Sequence, residues 1–337
     1  MVSKKYRTAD NIFTGDQITH PSMNTKPALP FTLPDHAVLI EVALRDGFQF
    51  EDKIVPTELK YDMILRLIDA GFKHVQVASF VHPGRVPQMA DAEKLMARLA
   101  GIPDVCLSAL ALNSRGVERA CSAGVVHIEV SISASHQHSL NNTGMDADAA
   151  LKMAAHAIEL ARNCGMRVRA GIQCAFGSGY AETISHEQIT TTSLTLISAG
   201  ADMLCLSDTT GMATPLTIAQ TLQSIKPVAG AIPIVLHLHD TRGLGLVNVL
   251  TALSYGVVHF DTALAGMGGC PFIKNAAGNI ATEDTLYLMS SLNIETGLNP
   301  TRIAECSRDL ELFFGKRFPG KMYRLLCPEK DISREDV

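Results

Sequence analysis

Tryptophan is absent from the 337-residue chain, and aromatic residues make up only 5% of it. The core must therefore be built from Ala, Val, Ile, Leu and Met, which suits a buried parallel sheet better than an aromatic-rich β-sandwich. Charge is also scarce. Only 19% of residues are Asp, Glu, Lys or Arg, against 47% hydrophobic, which excludes disorder over most of the chain. There is no basic excess: 29 Lys and Arg face 34 Asp and Glu, a net −5. That argues against a nucleic-acid-binding face while leaving room for a local basic pocket. No apolar run is long enough to span a membrane, which takes about 18 residues. The N-terminus has no apolar signal segment, and Asp10 and Asp16 weigh against an organellar transit peptide. The expectation is a cytoplasmic protein. None of the eight cysteines forms a CxxC pair, and most sit inside apolar runs. They read as small buried hydrophobes in a reducing compartment. No GxGxxG follows a strand-like run, so the dinucleotide fingerprint is missing.

What the sequence does contain is an alternation. Residues 1–36 are polar and broken by Pro21, Pro27, Pro30 and Pro34, and read as an arm. From residue 37 short apolar runs (37–44, 74–80, 105–112, 126–133, 168–176, 203–211, 232–240 and 257–266) alternate with helical patterns (57–71, 87–100, one ending near Gly124, 146–164, 187–199, 215–226, 243–255 and 282–291). Eight strand–helix units over about 250 residues predict one (β/α)8 TIM barrel rather than an open doubly wound sheet. The barrel is expected over residues 37–298. Residues 299–337 are expected to add a C-terminal helix and a polar tail.

A barrel places its active site at the C-terminal ends of the strands, and polar residues gather there. Strand 1 ends in Arg45 and Asp46, strand 2 carries Gln76 and Ser79, and strand 4 runs into Ser131, Ser133, Ser135, His136 and His138. Strand 5 carries Gln173, strand 6 ends in Ser207 and Asp208, and strand 7 in His237, His239 and Asp240. A glycine-rich loop follows strand 8 over residues 266–279.

Residues two apart in a strand share a face, so His237 and His239 project side by side and can take adjacent positions on one metal. Asp46 is a third ligand candidate, since closure brings strand 1 near strand 7. Two nitrogens, one carboxylate and open positions suit Mg2+ or Mn2+; zinc remains an alternative, as do plain structural histidines. Arg45 at a barrel mouth either binds an anionic ligand or forms a buried ion pair, with Asp208 as one partner. Cys270 stands in the glycine-rich loop, either as an activated thiol or as an ordinary loop cysteine.

The segments RDGFQFE (45–51), SFVHPGRVPQM (79–89), LSDTTGMATP (206–215), HLHDTRG (237–243) and GMGGCPFIKNAAGNIATED (266–284) resemble the 3-hydroxy-3-methylglutaryl-CoA lyase family. The family belongs to a metal-dependent aldol/Claisen barrel superfamily that also contains isopropylmalate and homocitrate synthases. The resemblance covers roughly residues 37–298. It implies that Asp46, His237, His239 and Asn279 hold a divalent metal. It also implies that Arg45 stabilises an enolate, that Cys270 moves a proton, and that Asp208 lies near the metal and the substrate hydroxyl. The implied reaction is retro-aldol cleavage of a 3-hydroxyacyl-CoA to an acyl-CoA and a keto acid. A condensing synthase of the same superfamily and a non-catalytic ligand-binding barrel are the alternatives.

The sequence departs from the family pattern at several places. Gln76 stands where the lyases carry Glu, and an amide cannot accept a proton. Phe48 and Phe50 replace smaller or polar side chains, Asp52 falls where Lys is usual, and Leu44 replaces Pro. Gln76, Phe50 and Asp52 point to an acyl group other than the parent one. Apolar barrel helices and the N-terminal arm need cover, which points to a homo-oligomer, a dimer being the simplest. Arg85 and Lys274 read as solvated surface.

Overall fold

The computed structural model describes residues 30–269 and 277–328. Eight parallel strands close into a barrel in sequence order. They are β1 Val38–Glu41, β2 His74–Ser79, β3 Cys106–Ala111, β4 His127–Ser133, β5 Arg167–Gln173, β6 Met203–Ser207, β7 Ile234–His237 and β8 His259–Thr262. β1 pairs with β8 from Val38 opposite His259 to Glu41 opposite Thr262, which closes the ring. Each strand is followed by a helix on the outside, and the aliphatic core lies between the two layers. Leu67, Ile64, Val117, Ile158, Leu196, Leu222, Val249 and Leu253 are all fully buried there. A Trp-free chain can fill this space because branched aliphatic side chains interdigitate in layers.

The strands are shorter than their apolar runs. The first run was expected to stay extended to residue 44, but β1 stops at Glu41 and the chain coils into a π-helical turn, Ala43–Gly47. The cause is Glu41. Its buried carboxylate accepts the backbone N–H of Ala43 at 2.8 Å and of Leu264 at 3.0 Å, and the Thr282 hydroxyl at 2.7 Å. One side chain thus bends the chain after β1 and ties it to the segment after β8.

The helix expected over 87–100 is split into a 3-10 turn, Pro87–Met89, and a helix, Ala92–Leu99. Buried Lys60 donates to the Gln88 carbonyl and to the Asp91 carboxylate, both at 2.6 Å, and draws the backbone out of register. His136 and His138, expected at the end of strand 4, lie in a short helix after it, His136–Thr143. Ser135 caps it by accepting from the His138 N–H, and Gly144 ends it at φ 76°. Beyond the barrel there are two helices rather than one, Pro300–Phe314 and Met322–Leu326. The first buries Ile303, Ala304, Cys306 and Leu310.

Burial raises the Glu41 carboxyl to about 7 despite its hydrogen bonds. A folded-state pKa above the unfolded one means that the native state holds the extra proton. The stability it contributes is complete below the ordinary carboxylate range and is lost as pH rises through about 7. Denaturation measured from about pH 5 to 8 should show stability falling. Glu41→Gln keeps an acceptor for the two N–H groups and should make that slope shallower. Equal slopes in the two proteins would mean that Glu41 does not titrate there.

Candidate active site at the barrel mouth

His237 ends β7, and the chain continues through Leu238 to His239. Leu238 is fully buried on the opposite face, so the two imidazoles turn the same way, with ring centroids 5.2 Å apart. A backbone bridge between His239 and Asn279 brings the segment after β8 back beside them. The Ile280 N–H donates to the Leu238 carbonyl at 3.0 Å. The π-helical turn presents Asp46 from the other side of the closure. Asp46, His237 and His239 offer ligand atoms that all lie within 4.8 Å of one another, and all three residues are buried.

The hydrogen bonding suits a candidate cation site. Asp261 of β8 lies opposite His237 and bonds its Nδ1 at 3.0 Å. Burial pushes the Asp261 carboxyl up, but Arg169 and His237 outweigh it and hold the group well below the carboxylate range. It is therefore ionised, so His237 Nδ1–H donates and the Nε2 lone pair is left facing inward. That Nε2 sits 3.3 Å from Nε2 of His239. Burial, with His237 beside it, lowers His239 to about 3. Two imidazole nitrogens at that distance share either a proton or a cation between them.

Oxygen donors complete the set. Asn279 Nδ2 donates to Asp46 Oδ2 at 2.7 Å and to the Met267 carbonyl at 2.9 Å, while its Oδ1 is buried without a hydrogen-bond partner. Burial pushes the Asp46 carboxyl up, but Arg45, His237 and Asn279 hold it below its ordinary value. Two imidazoles, an ionised carboxylate and an amide oxygen fit a six-coordinate divalent ion.

Around this cluster runs a buried polar chain. Arg45 pairs with Asp46, and its Nε donates to Gln76 Oε1. Gln76 Nε2 donates to Glu129 Oε2 at 2.7 Å. Arg169 donates to the same oxygen from Nε at 2.8 Å, and forks onto Asp261 at 2.7 and 2.9 Å. Gly171 makes room for this: a Cβ there would come within 2.6 Å of Glu129 Oε1 and 2.7 Å of Ser131 Oγ.

The mouth itself is a cavity of about 320 Å³ lined by Arg45, Asp46, Phe50, Glu129, Ser131, Gln173, Ser207, His237 and His239, with His138 at its edge. It shares Val81, Arg85, Leu112 and Asn142 with an adjoining cavity of about 630 Å³ that also holds Arg115.

The sequence-stated candidates thus meet, with differences. Asp208 does not pair with Arg45; its Oδ1 accepts the N–H groups of Met212 and Ala213. Its Oδ2 is buried without a partner, and burial lifts the carboxyl to about 6. Asp240 caps the following helix through the Gly245 N–H. The family departures separate. Phe50 lines the mouth cavity, Gln76 is fully buried behind it against Arg45 and Glu129, Phe48 is buried against Phe314, and Asp52 is exposed. Arg85 is exposed, yet on the cavity rim rather than on open surface. Cys270 and Lys274 lie outside the described residues.

Sequence reading missed Glu129, Arg169 and Asp261. The signal was present as single charges inside apolar strands, which must be paired when buried.

Known proteins share this arrangement of sequence and fold. Residues 37–310 match the HMGL-like family. The chain belongs to that family. It is 35% identical over 273 residues to rat cytoplasmic 3-hydroxy-3-methylglutaryl-CoA lyase, covering 81% of this chain and 80% of the relative. It is 33% identical over 296 residues to bovine mitochondrial hydroxymethylglutaryl-CoA lyase, covering 88% and 91%. The hydroxymethylglutaryl-CoA lyase structure from Pseudomonas aeruginosa superposes with a TM-score of 0.83 at 32% identity, over 87% of this chain and 98% of that one. An HMG-CoA lyase from Acinetobacter baumannii, in complex with coenzyme A and 3-methylmalate, gives 0.82 at 30% identity over 90% and 98%. The HMGL-like chain is accordingly a carbon–carbon lyase. No helix among the described residues is long and apolar enough to cross a membrane.

Asp261→Asn removes the negative charge that fixes the His237 tautomer and weakens its hold on the ring. Calorimetric titration with Mn2+ should show an affinity loss of about 10- to 100-fold. His239→Ala should lose more. Unchanged affinity in Asp261→Asn would uncouple the polar chain from the cluster.

Proposed function

We propose that this chain cleaves 3-hydroxy-3-methylglutaryl-CoA, or a close 3-hydroxyacyl-CoA relative, to an acyl-CoA and a keto acid. The observation that carries this reading is the Asp46, His237 and His239 triad at the barrel mouth with the Arg45 guanidinium against it. Asp46, His237, His239 and Asn279 would hold Mg2+ or Mn2+. Such an ion supplies a Lewis acid that acidifies the substrate's tertiary hydroxyl.

The chain's own residues divide the remaining work. Asp208 Oδ2 takes the hydroxyl proton; a carboxyl lifted to about 6 is a stronger base than an ordinary one and still ionised near neutral pH. Arg45 holds the oxygen of the enolate left on the thioester when the carbon–carbon bond breaks. Cys270 is the group assigned to protonate that carbon. Phe50 and Gln173 line the space for the acyl end. The polyanionic CoA part runs into the adjoining cavity. Arg85 and Arg115 are exposed there, and neither has an ion pair among the described residues.

We read the barrel, residues 37–298, as the catalytic unit, residues 1–36 as an arm and residues 299–337 as an extension. The described cysteines are free thiols, which supports a reducing compartment such as the cytoplasm. Leu312 and Leu325, 68% and 58% exposed on the two C-terminal helices, support a homo-oligomer.

The test is a panel of hydroxyacyl-CoA thioesters offered to the Mn2+- or Mg2+-loaded protein. Acetoacetate release from 3-hydroxy-3-methylglutaryl-CoA, or a keto acid from a near relative, is expected. CoA release from acetyl-CoA plus keto acids, with no cleavage, would make the chain a condensing enzyme instead. Asp208→Asn should lower kcat by about 10²- to 10⁴-fold with KM little changed. Arg115→Glu should raise KM for the thioester about tenfold, equivalent to about 1.4 kcal/mol of binding, and leave kcat near the wild-type value.

A further inference from the structure

Gln76 is fully buried and lies between a guanidinium and a carboxylate. Its Oε1 accepts from Arg45 Nε, and its Nε2 donates to Glu129 Oε2 at 2.7 Å. The opposite amide orientation would set an N–H against the Arg45 N–H and an oxygen against the Glu129 carboxylate, so only one orientation satisfies both neighbours. A carboxylate at position 76 has no donor and would leave two anions oxygen to oxygen.

We infer that Glu129 is a positioning residue for the cleavage reaction and that it dictates the neutral amide at position 76. The inference rests on the lyase reading given above. Glu129 is 4% exposed and faces the mouth cavity without touching the metal-ligand cluster. Through Gln76 it fixes the Arg45 guanidinium. Through Arg169 and Asp261 it reaches the His237 ring. The two catalytic elements, cation cluster and enolate clamp, are therefore set by one residue that contacts neither.

The charge count supports this. Arg45 and Arg169 stand among three buried carboxylates, Asp46, Glu129 and Asp261. A fourth carboxylate at position 76 would lie oxygen to oxygen against Glu129, whose Oε2 is also held by Arg169, and two like charges in buried contact are strongly destabilising. Position 76 can carry a carboxylate only if position 129 gives its charge up. A neutral amide at 129 no longer repels that carboxylate, its oxygen still accepts from Arg169, and Arg169 keeps Asp261.

The experiment uses the full-length, Mn2+-loaded protein and three variants, Gln76→Glu, Glu129→Gln and the double substitution. Melting temperature, kcat and KM are measured for each. Gln76→Glu should melt lower and lose about 100-fold in kcat, as when an oxyanion donor is displaced, with KM nearly unchanged. Adding Glu129→Gln should restore both melting temperature and kcat, a coupling that independent sites do not show. Wild-type kcat in Gln76→Glu would overturn the inference, as would a double variant no better than Gln76→Glu. Restored melting temperature without restored kcat would also overturn it, leaving a structural pair with no positioning role. If the wild-type protein cleaves no thioester, the lyase reading fails by itself, and the melting temperatures still show whether Glu129 dictates residue 76.

Discussion

The Arg169 guanidinium, gripped between Glu129 and Asp261 inside the barrel, is the interaction on which the rest of the site depends. Three charged groups buried inside a barrel are costly, and they persist because each satisfies the next. The guanidinium has five donors in a fixed plane, and four of its N–H directions are used on two carboxylates, one from the adjacent β4 and one from β8 across the barrel. Lysine could not span both. That geometry holds Asp261 ionised, which settles the His237 tautomer, which in turn aims a lone pair at the cation position.

A second constraint works at the barrel closure. Glu41, at the end of β1, and Glu283, after β8, are both fully buried carboxyls raised by desolvation, to about 7 and about 8. Glu41 gathers the N–H groups of the π-helical turn and of the segment carrying Leu264. Asp46 and Asn279 are thereby brought together from opposite ends of the barrel sequence, where their 2.7 Å hydrogen bond joins the two halves of the ligand set. The candidate metal position and the seam of the barrel are one construction.

Much of this was legible in the sequence, for physical reasons. Buried parallel strands demand continuous apolar runs, so eight of them were visible. The His237-x-His239 spacing fixes a shared face whatever surrounds it. Asp46 followed from barrel closure. What escaped depends on pairing across strands rather than along them. Glu129 and Arg169 face each other in register on β4 and β5, and no periodicity within either strand reveals it. The π-helical turn escaped because the residues 42–44 are apolar and read as strand; the bend is imposed by Glu41. The departure at Gln76 was visible as an oddity, but its meaning lies in Glu129, 53 positions away.

Gly171 carries a further consequence, for what this barrel tolerates. It lies on β5 where any side chain would strike Glu129 and Ser131. A carboxylate at 129 needs a glycine on the next strand, an arginine two residues before that glycine and an amide at 76. A replacement at one of these four positions leaves the others mismatched, so this corner of the interior tolerates change only as a set.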